Sequence, residues 1–191
     1  VSAPFEDEDE NNLHTLEDAG AVYVFQRDSS GQWNLMQKLT PPNRHIYQQF
    51  GGEVSISNGQ LFIGSLATNT TDSAGTILYA VGSVYVYELG SNGQWGFKQQ
   101  VVASDYAYND RFGPRLSVRD RLLIVRSPRV DGPAGIDVGA VYVFKQDRNG
   151  FWQEFQKIMD PISPPNYQLG ANGVDIDGPS ALISKSLTGV L

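Results

Sequence analysis

One hexapeptide recurs as GAVYVF (20–25), GSVYVY (82–87) and GAVYVF (139–144), two companion motifs follow each copy at fixed distance, and no helical periodicity longer than two turns interrupts them. These observations predict an all-β fold, a β-propeller of four-stranded antiparallel blades, with two complete blades and a half-blade at each end.

The register is strict. Gly31-Gln32-Trp33, Gly93-Gln94-Trp95 and Gly150-Phe151-Trp152 each begin 11 residues after the hexapeptide glycine. Phe50-Gly51, Phe112-Gly113 and Leu169-Gly170 each begin 30 residues after it. The repeats are therefore 62 and 57 residues long, and the difference falls in the stretch before each hexapeptide.

Each unit divides into four strands. Strand A reads EVSIS (53–57), RLSVR (115–119) or GVDID (173–177), and strand B reads LFIGS (61–65), LLIVRS (122–127) or ALIS (181–184). Strand C is the hexapeptide. It has no polar alternation from Val22 to Phe25, the pattern of a strand covered on both faces. Strand D reads WNLMQKL (33–39), WGFKQQV (95–101) or WQEFQKI (152–158). Its first copy sets Leu35, Gln37 and Leu39 against Asn34, Met36 and Lys38, the alternation of a half-solvated edge. Trp33, Trp95 and Trp152 share one repeat position and are read as packing between blades.

The single propeller segment 1–191 thus divides into a half-blade 1–42 (strands C–D), a blade 43–104, a blade 105–161 and a half-blade 162–191 (strands A–B). Residues 1–19 are expected to be the B-to-C connection of a blade lacking its own strands A and B. Three blades' worth of strands falls short of the about 4–8 blades of closed propellers. Two expectations follow. The chain is a segment of a longer propeller, or it is a building block that completes its terminal half-blades with another copy, giving a six-bladed ring or a filament.

At this point the residues resemble a known family. FGGEVSISNGQLFIGS ahead of GSVYVY, and FGPRLSVRDRLLIVRSP ahead of GAVYVF, are similar to FG-GAP repeats, the blade unit of bacterial FG-GAP proteins and of integrin α-subunit propellers. The FG positions are Phe50-Gly51, Phe112-Gly113 and, degraded, Leu169-Gly170. The GAP positions are Gly64-Ser65-Leu66, Arg126-Ser127-Pro128 and Ser2-Ala3-Pro4. The aromatic is expected to wedge between blades while the glycine admits a close backbone. The resemblance implies a non-enzymatic binding or adhesion module, extracellular or at the cell surface. Many members carry a calcium loop between strands A and B. Here that connection is SNGQ, RDR or DGPS, too short to wrap an ion, and Asp175-Ile176-Asp177-Gly178 reads as an Asp-Gly turn. No metal and no cofactor are expected.

Charge narrows the partners. Of the 21 acids and 14 bases, residues 1–19 hold seven acids and no base, so the rest of the chain is balanced. No basic stripe suits nucleic acid, and no apolar run has the ~20 residues that span a bilayer. The run Glu6-Asp7-Glu8-Asp9-Glu10 is read as a solvated loop rather than a cation site. Nucleophile-elbow, zincin, phosphate-loop and dinucleotide motifs are missing from the sequence. His14 and His45 fall in loops and are read as solvated.

In an antiparallel meander the B–C and D–A connections share one face. Here they are the long ones: 66–81, 103–111, 40–49 and 160–168. Long loops on a rigid frame are where recognition concentrates. The candidate ligand contacts are Tyr106, Tyr108, Asn109, Tyr47 and Tyr167, for a protein or glycan ligand. Tyr47 and Tyr167 are taken to occupy matching repeat positions, where packing the loop competes with binding. Asn69-Thr70-Thr71 fits a glycosylation sequon, which puts Asn69 on a surface loop.

Overall fold

The structure, a computed structural model, describes residues 1–133 and 135–185, so the last six residues of the terminal half-blade lie outside it. Strands β1 (Ser2–Ala3), β2 (Ala21–Arg27) and β3 (Trp33–Leu39) form a three-stranded sheet in that order. Strands β4 (Phe50–Ser57) and β5 (Gln60–Ser65) lead, past a small hairpin of β6 (Thr70–Thr71) and β7 (Ile77–Leu78), to β8 (Ser83–Leu89) and β9 (Trp95–Val101). The order β4-β5-β8-β9 is the first four-stranded sheet. β10 (Leu116–Arg119), β11 (Leu122–Ser127), β12 (Ala140–Gln146) and β13 (Trp152–Ile158) form the second, and β14 (Val174–Asp177) pairs with β15 (Ser180–Ile183). Every strand pairing is antiparallel.

The sheets stand in a row. β1 touches β4, β4 touches β10 and β10 touches β14, and the described residues do not close this row into a ring. Apolar side chains fill the gaps between sheets, as the unbroken apolar strands require. Val22 and Leu39 meet Phe50, Ile63, Tyr85 and Trp95 in the first gap. Phe62, Val84 and Val86 meet Phe112, Leu123, Tyr142 and Trp152 in the second. Ile124 and Val141 meet Leu169 and Ile176 in the third.

Each joint repeats one construction. The FG aromatic is fully buried and sits edge-on to the strand C tyrosine, Phe50 to Tyr85 at 5.4 Å and Phe112 to Tyr142 at 5.6 Å. Its N–H donates across the joint, Phe50 to the Ala19 carbonyl at 3.0 Å, Phe112 to Val81 at 2.8 Å and Leu169 to Val138 at 2.9 Å. This closeness demands glycine: Gly82 has φ 82°, and a Cβ there would run into the Phe112 backbone. A second device is a side-chain clamp. Gln37 accepts the Trp95 N–H at 2.8 Å and donates to the Trp95 carbonyl at 3.0 Å, and Gln99 does both to Trp152 at 2.8 Å.

Several expectations need correction. The first half-blade is not devoid of strand B, because β1 pairs with β2 through Ser2–Val22 and Ala3–Ala21 at the GAP position. The alternation expected for strand D fails at its middle. A β-bulge leaves Met36, Lys98 and Phe155 without a partner at the same repeat position in β3, β9 and β13, so one residue drops out of the two-residue period. Trp95 and Trp152 are buried at 7% and 3% exposure by the sheet packed in front of each, but Trp33 is 67% exposed, with no sheet among the described residues packed against it. Finally, Tyr47 and Tyr167 do not match. The equivalent N–H groups are those of Tyr47, Asn109 and Asn166, which donate to Glu17, Tyr79 and Ile136.

Candidate functional site

The B–C and D–A loops emerge together and bond to each other. The N–H groups of Tyr47, Asn109 and Asn166 reach the carbonyls of Glu17, Tyr79 and Ile136 at 2.7, 2.9 and 3.0 Å. The short turns occupy the other end, where Leu89 donates to the Gly59 carbonyl and Gln146 to that of Arg121. Backbone geometry at the loop face is unusual: each joint holds three non-glycine residues at positive φ, such as Ala80 (52°), Asn109 (66°) and Arg111 (55°). The cross-loop bonds hold them there.

Charge separates by face. Loops 4–20, 40–49, 66–82, 102–113, 128–139 and 159–168 carry 13 of the 21 acids but only three of the 14 bases, Arg44, Arg111 and Arg129. Exposed apolar side chains gather there too: Ile46, Tyr47, Ile77, Tyr79, Tyr108 and Ile136.

Beside Tyr108 lies a cleft of about 410 Å³, lined by Asn109 and by Asp105, Asp110, Asp131 and Asp137, with Lys157 and Arg129 as counter-charges. Asp110 is buried, its Oδ2 accepts the Ala107 N–H at 2.7 Å, and its own carbonyl accepts the Ser127 hydroxyl at 2.8 Å. Burial pushes its carboxyl up to about 6, helped by the charges of Asp105 and Asp131 and opposed by the Ala107 N–H and Lys157. Asp105 goes the other way. Burial works against its charge, but hydrogen bonds from Lys157 (2.7 Å) and the Tyr142 hydroxyl (2.8 Å) hold it below its ordinary value.

The preceding joint supplies a neutral counterpart. Gln48 stands where Asp110 stands, accepting the His45 N–H at 3.1 Å as Asp110 accepts that of Ala107, and Asn43 stands where Asp105 stands. There Gln48 donates to the Tyr85 hydroxyl at 2.8 Å, which donates to Asn43 at 2.7 Å. The chain thus places amides at two positions of one joint and carboxylates at the same two positions of the next.

The five sequence candidates do not converge. Tyr108 and Asn109 line the cleft, and Asn109 Oδ1 accepts from Arg111 Nε at 3.0 Å. Tyr106 packs half-buried against the core. Tyr47 lies one joint earlier, donating its hydroxyl to Glu17 at 2.5 Å, and Tyr167 lies one joint later, half-buried. Asn69 is half-buried at the base of the β6–β7 hairpin, where its Oδ1 accepts the Ala80 N–H at 3.0 Å.

The acidic run is not a solvated loop. Asp9 is buried and accepts the N–H groups of Asn11 (2.9 Å) and Leu13 (3.0 Å), with His14 Nδ1 at 2.5 Å from its Oδ2. The Leu13 N–H and His14 hold its carboxyl well below the usual range. Glu6 accepts the Tyr23 hydroxyl, Asp7 the Asp18 N–H and Glu10 the Thr40 hydroxyl. These carboxylates fasten the first B–C loop to its own blade. His45 is likewise structural, its Nε2 accepting the Asn69 N–H at 3.2 Å. Among the described residues no group of three or more His, Cys, Asp or Glu is arranged to hold a metal ion.

A family model described as the FG-GAP repeat matches residues 95–144, from β9 through β12. No curated protein matches the chain.

Proposed function

With residues 95–144 an FG-GAP repeat, a unit typical of propeller binding modules, we propose that the chain is a non-enzymatic, extracellular or cell-surface binding module that takes its ligand on the loop face. One observation carries the reading: of the 13 acids in the loops of that face, set against three arginines, all but Asp9 and Asp110 are at least partly exposed, beside exposed tyrosines and isoleucines. A patch both apolar and charged suits a protein ligand presenting basic side chains beside apolar ones. Tyr108, Asn109 and the carboxylates of Asp131 and Asp137 make its centre.

The test is a screen against protein, peptide and glycan arrays, followed by titration at low and high salt. A basic protein or peptide ligand is expected, with affinity falling as salt rises. Tyr108→Ala and Asp131→Asn should each weaken it about tenfold or more. Capture of neutral glycans alone would replace the protein ligand with a sugar. Binding that survives both substitutions and is lost in Arg148→Ala, in a short turn of the opposite end, would sink the assignment of the face.

A further inference from the structure

Between one repeat and the next, three neutral residues become arginines. Gln49, Gly64 and Ala67 are replaced by Arg111, Arg126 and Arg129, each 62 residues further on. The three arginines line one cavity of about 190 Å³. Its remaining walls come from neighbouring repeats, Leu66 of the preceding B–C loop and Gln168 of the loop ahead of β14, together with Pro114 and Pro128.

Arg126 is the buried member, at 7% exposure. A Cβ on Gly64 would run into the Gly113 backbone, so a side chain at that repeat position needs room in the next sheet. Gly170 supplies it for Arg126, since a Cβ there would come within 3.1 Å of Arg126 Cδ. The Arg126 guanidinium meets neutral acceptors. Nε donates to the Leu169 carbonyl at 3.2 Å and Nη2 to Gln168 Oε1 at 3.1 Å, while Nη1 has no hydrogen-bond partner among the described residues. Arg111 Nε likewise donates to an amide, Asn109 Oδ1, at 3.0 Å. Among the described residues the arginine ion pairs are Arg115 with Glu53 and Arg119 with Asp177, so the three cavity arginines have no carboxylate of their own. Burial, with the charge of Arg115, pushes Arg126 down to about 10. Burial and the charge of Arg129 also lower Arg111, opposed by Asp137. All three stay charged at neutral pH. A buried cation among neutral partners and like charges is costly, and an anion relieves that cost.

We propose that this cavity is an oxyanion site that takes a phosphate or sulfate group. Such a group offers three or four oxygens and, as phosphate, close to two charges, where a carboxylate offers two oxygens and one charge. Guanidinium forks bind these oxygens in pairs. The cavity is smaller than the ~300–1,000 Å³ of pockets that enclose a whole ligand, so it holds the charged group alone. Its frame is set in advance. The Arg111 N–H donates to the Ala80 carbonyl at 3.0 Å, the Arg129 N–H donates to that of Asp110 at 3.3 Å, and two prolines stiffen the wall. Arg129 also lines the acidic cleft beside Tyr108, which gives the loop face two adjacent sites of opposite charge. The oxyanion site stands independently of the basic ligand proposed for that cleft.

Calorimetric titration of the whole chain with inorganic phosphate and with sulfate, at constant ionic strength, tests this. Saturable binding of one anion per chain is expected, and it should raise the Tm. Arg126→Ala should weaken binding at least about tenfold. Arg111→Gln and Arg129→Ala, which restore the residues of the preceding repeat outside the core, should each do the same, with the fold checked by circular dichroism. Arg148→Ala, in a short turn of the opposite end, makes the same change of charge and should leave binding intact. Phenyl phosphate distinguishes the two sources of the group: competition with inorganic phosphate assigns the site to an ester on a larger ligand, and its exclusion assigns it to the free anion. The proposal is overturned if neither phosphate nor sulfate saturates, if acetate binds as tightly, or if Arg148→Ala weakens binding as much as the cavity variants.

Discussion

Asp110 shows what a single substitution between repeats does to a joint. Its carboxyl rises from an ordinary 3.8 to about 6, so ionising it in the folded state costs roughly 1–3 kcal/mol. Because the folded value is the higher, the cost is absent below about pH 4, where both states are protonated, and grows as pH rises through about 6. Asp110→Asn, which imitates Gln48, should leave denaturant stability unchanged near pH 4 and raise it by roughly 1–3 kcal/mol near pH 8. Equal stability of the two proteins across that range would show that the carboxylate is not desolvated. Glycine offers a second residue-scale contrast. Gly93 has φ 76° with open space where a Cβ would go, so Gly93→Ala should cost about 1 kcal/mol. Gly82→Ala adds a collision with the Phe112 backbone and should cost about 3 kcal/mol or more in urea unfolding.

At the scale of elements, the strands were legible and their joints were not. Strands D were readable to the residue, because tryptophan opens each of them after a glycine turn. The bulge in the same strands left no trace, since Met36, Lys98 and Phe155 share no chemistry; the extra residue is set by the twist between paired strands, not by its own side chain. Gln37, Gln99 and Gln156 recur visibly, yet a repeated polar residue on a half-solvated strand reads as surface until the neighbouring sheet supplies its backbone partner. Gln99→Ala should therefore cost about 2–3 kcal/mol, since both hydrogen bonds to Trp152 go and leave a buried N–H and C=O behind. A loss below about 0.5 kcal/mol, the level of an ordinary surface change, would refute the clamp. In the candidate site, loop length pointed to Tyr108 and Asn109. The burial of Asp110 was hidden, because it depends on Ser127 and Ala107 folding over it.

On the scale of the whole molecule, burial grades from the middle of the row to its ends. β5, β8 and β11 are buried between packed sheets, whereas Ser180, Ala181 and Leu182 of β15 are exposed. Amide exchange should be slowest in β8, β11 and β12 and fastest in β15 and along the outer half of β2 in dilute protein. Uniform protection across all strands would contradict the grading. What the sequence determined by itself was the order and direction of the twelve blade strands β2–β5 and β8–β15, though not β1 or the β6–β7 hairpin, because hydrophobic pattern and turn residues act within a few positions of themselves. What only the tertiary structure decided was which surfaces are covered. Gly31-Gln32-Trp33 and Gly93-Gln94-Trp95 are the same three residues in the same turn, yet one tryptophan is 67% exposed and the other 7%. Water is excluded by the neighbouring sheet, and no local sequence records whether that neighbour is there.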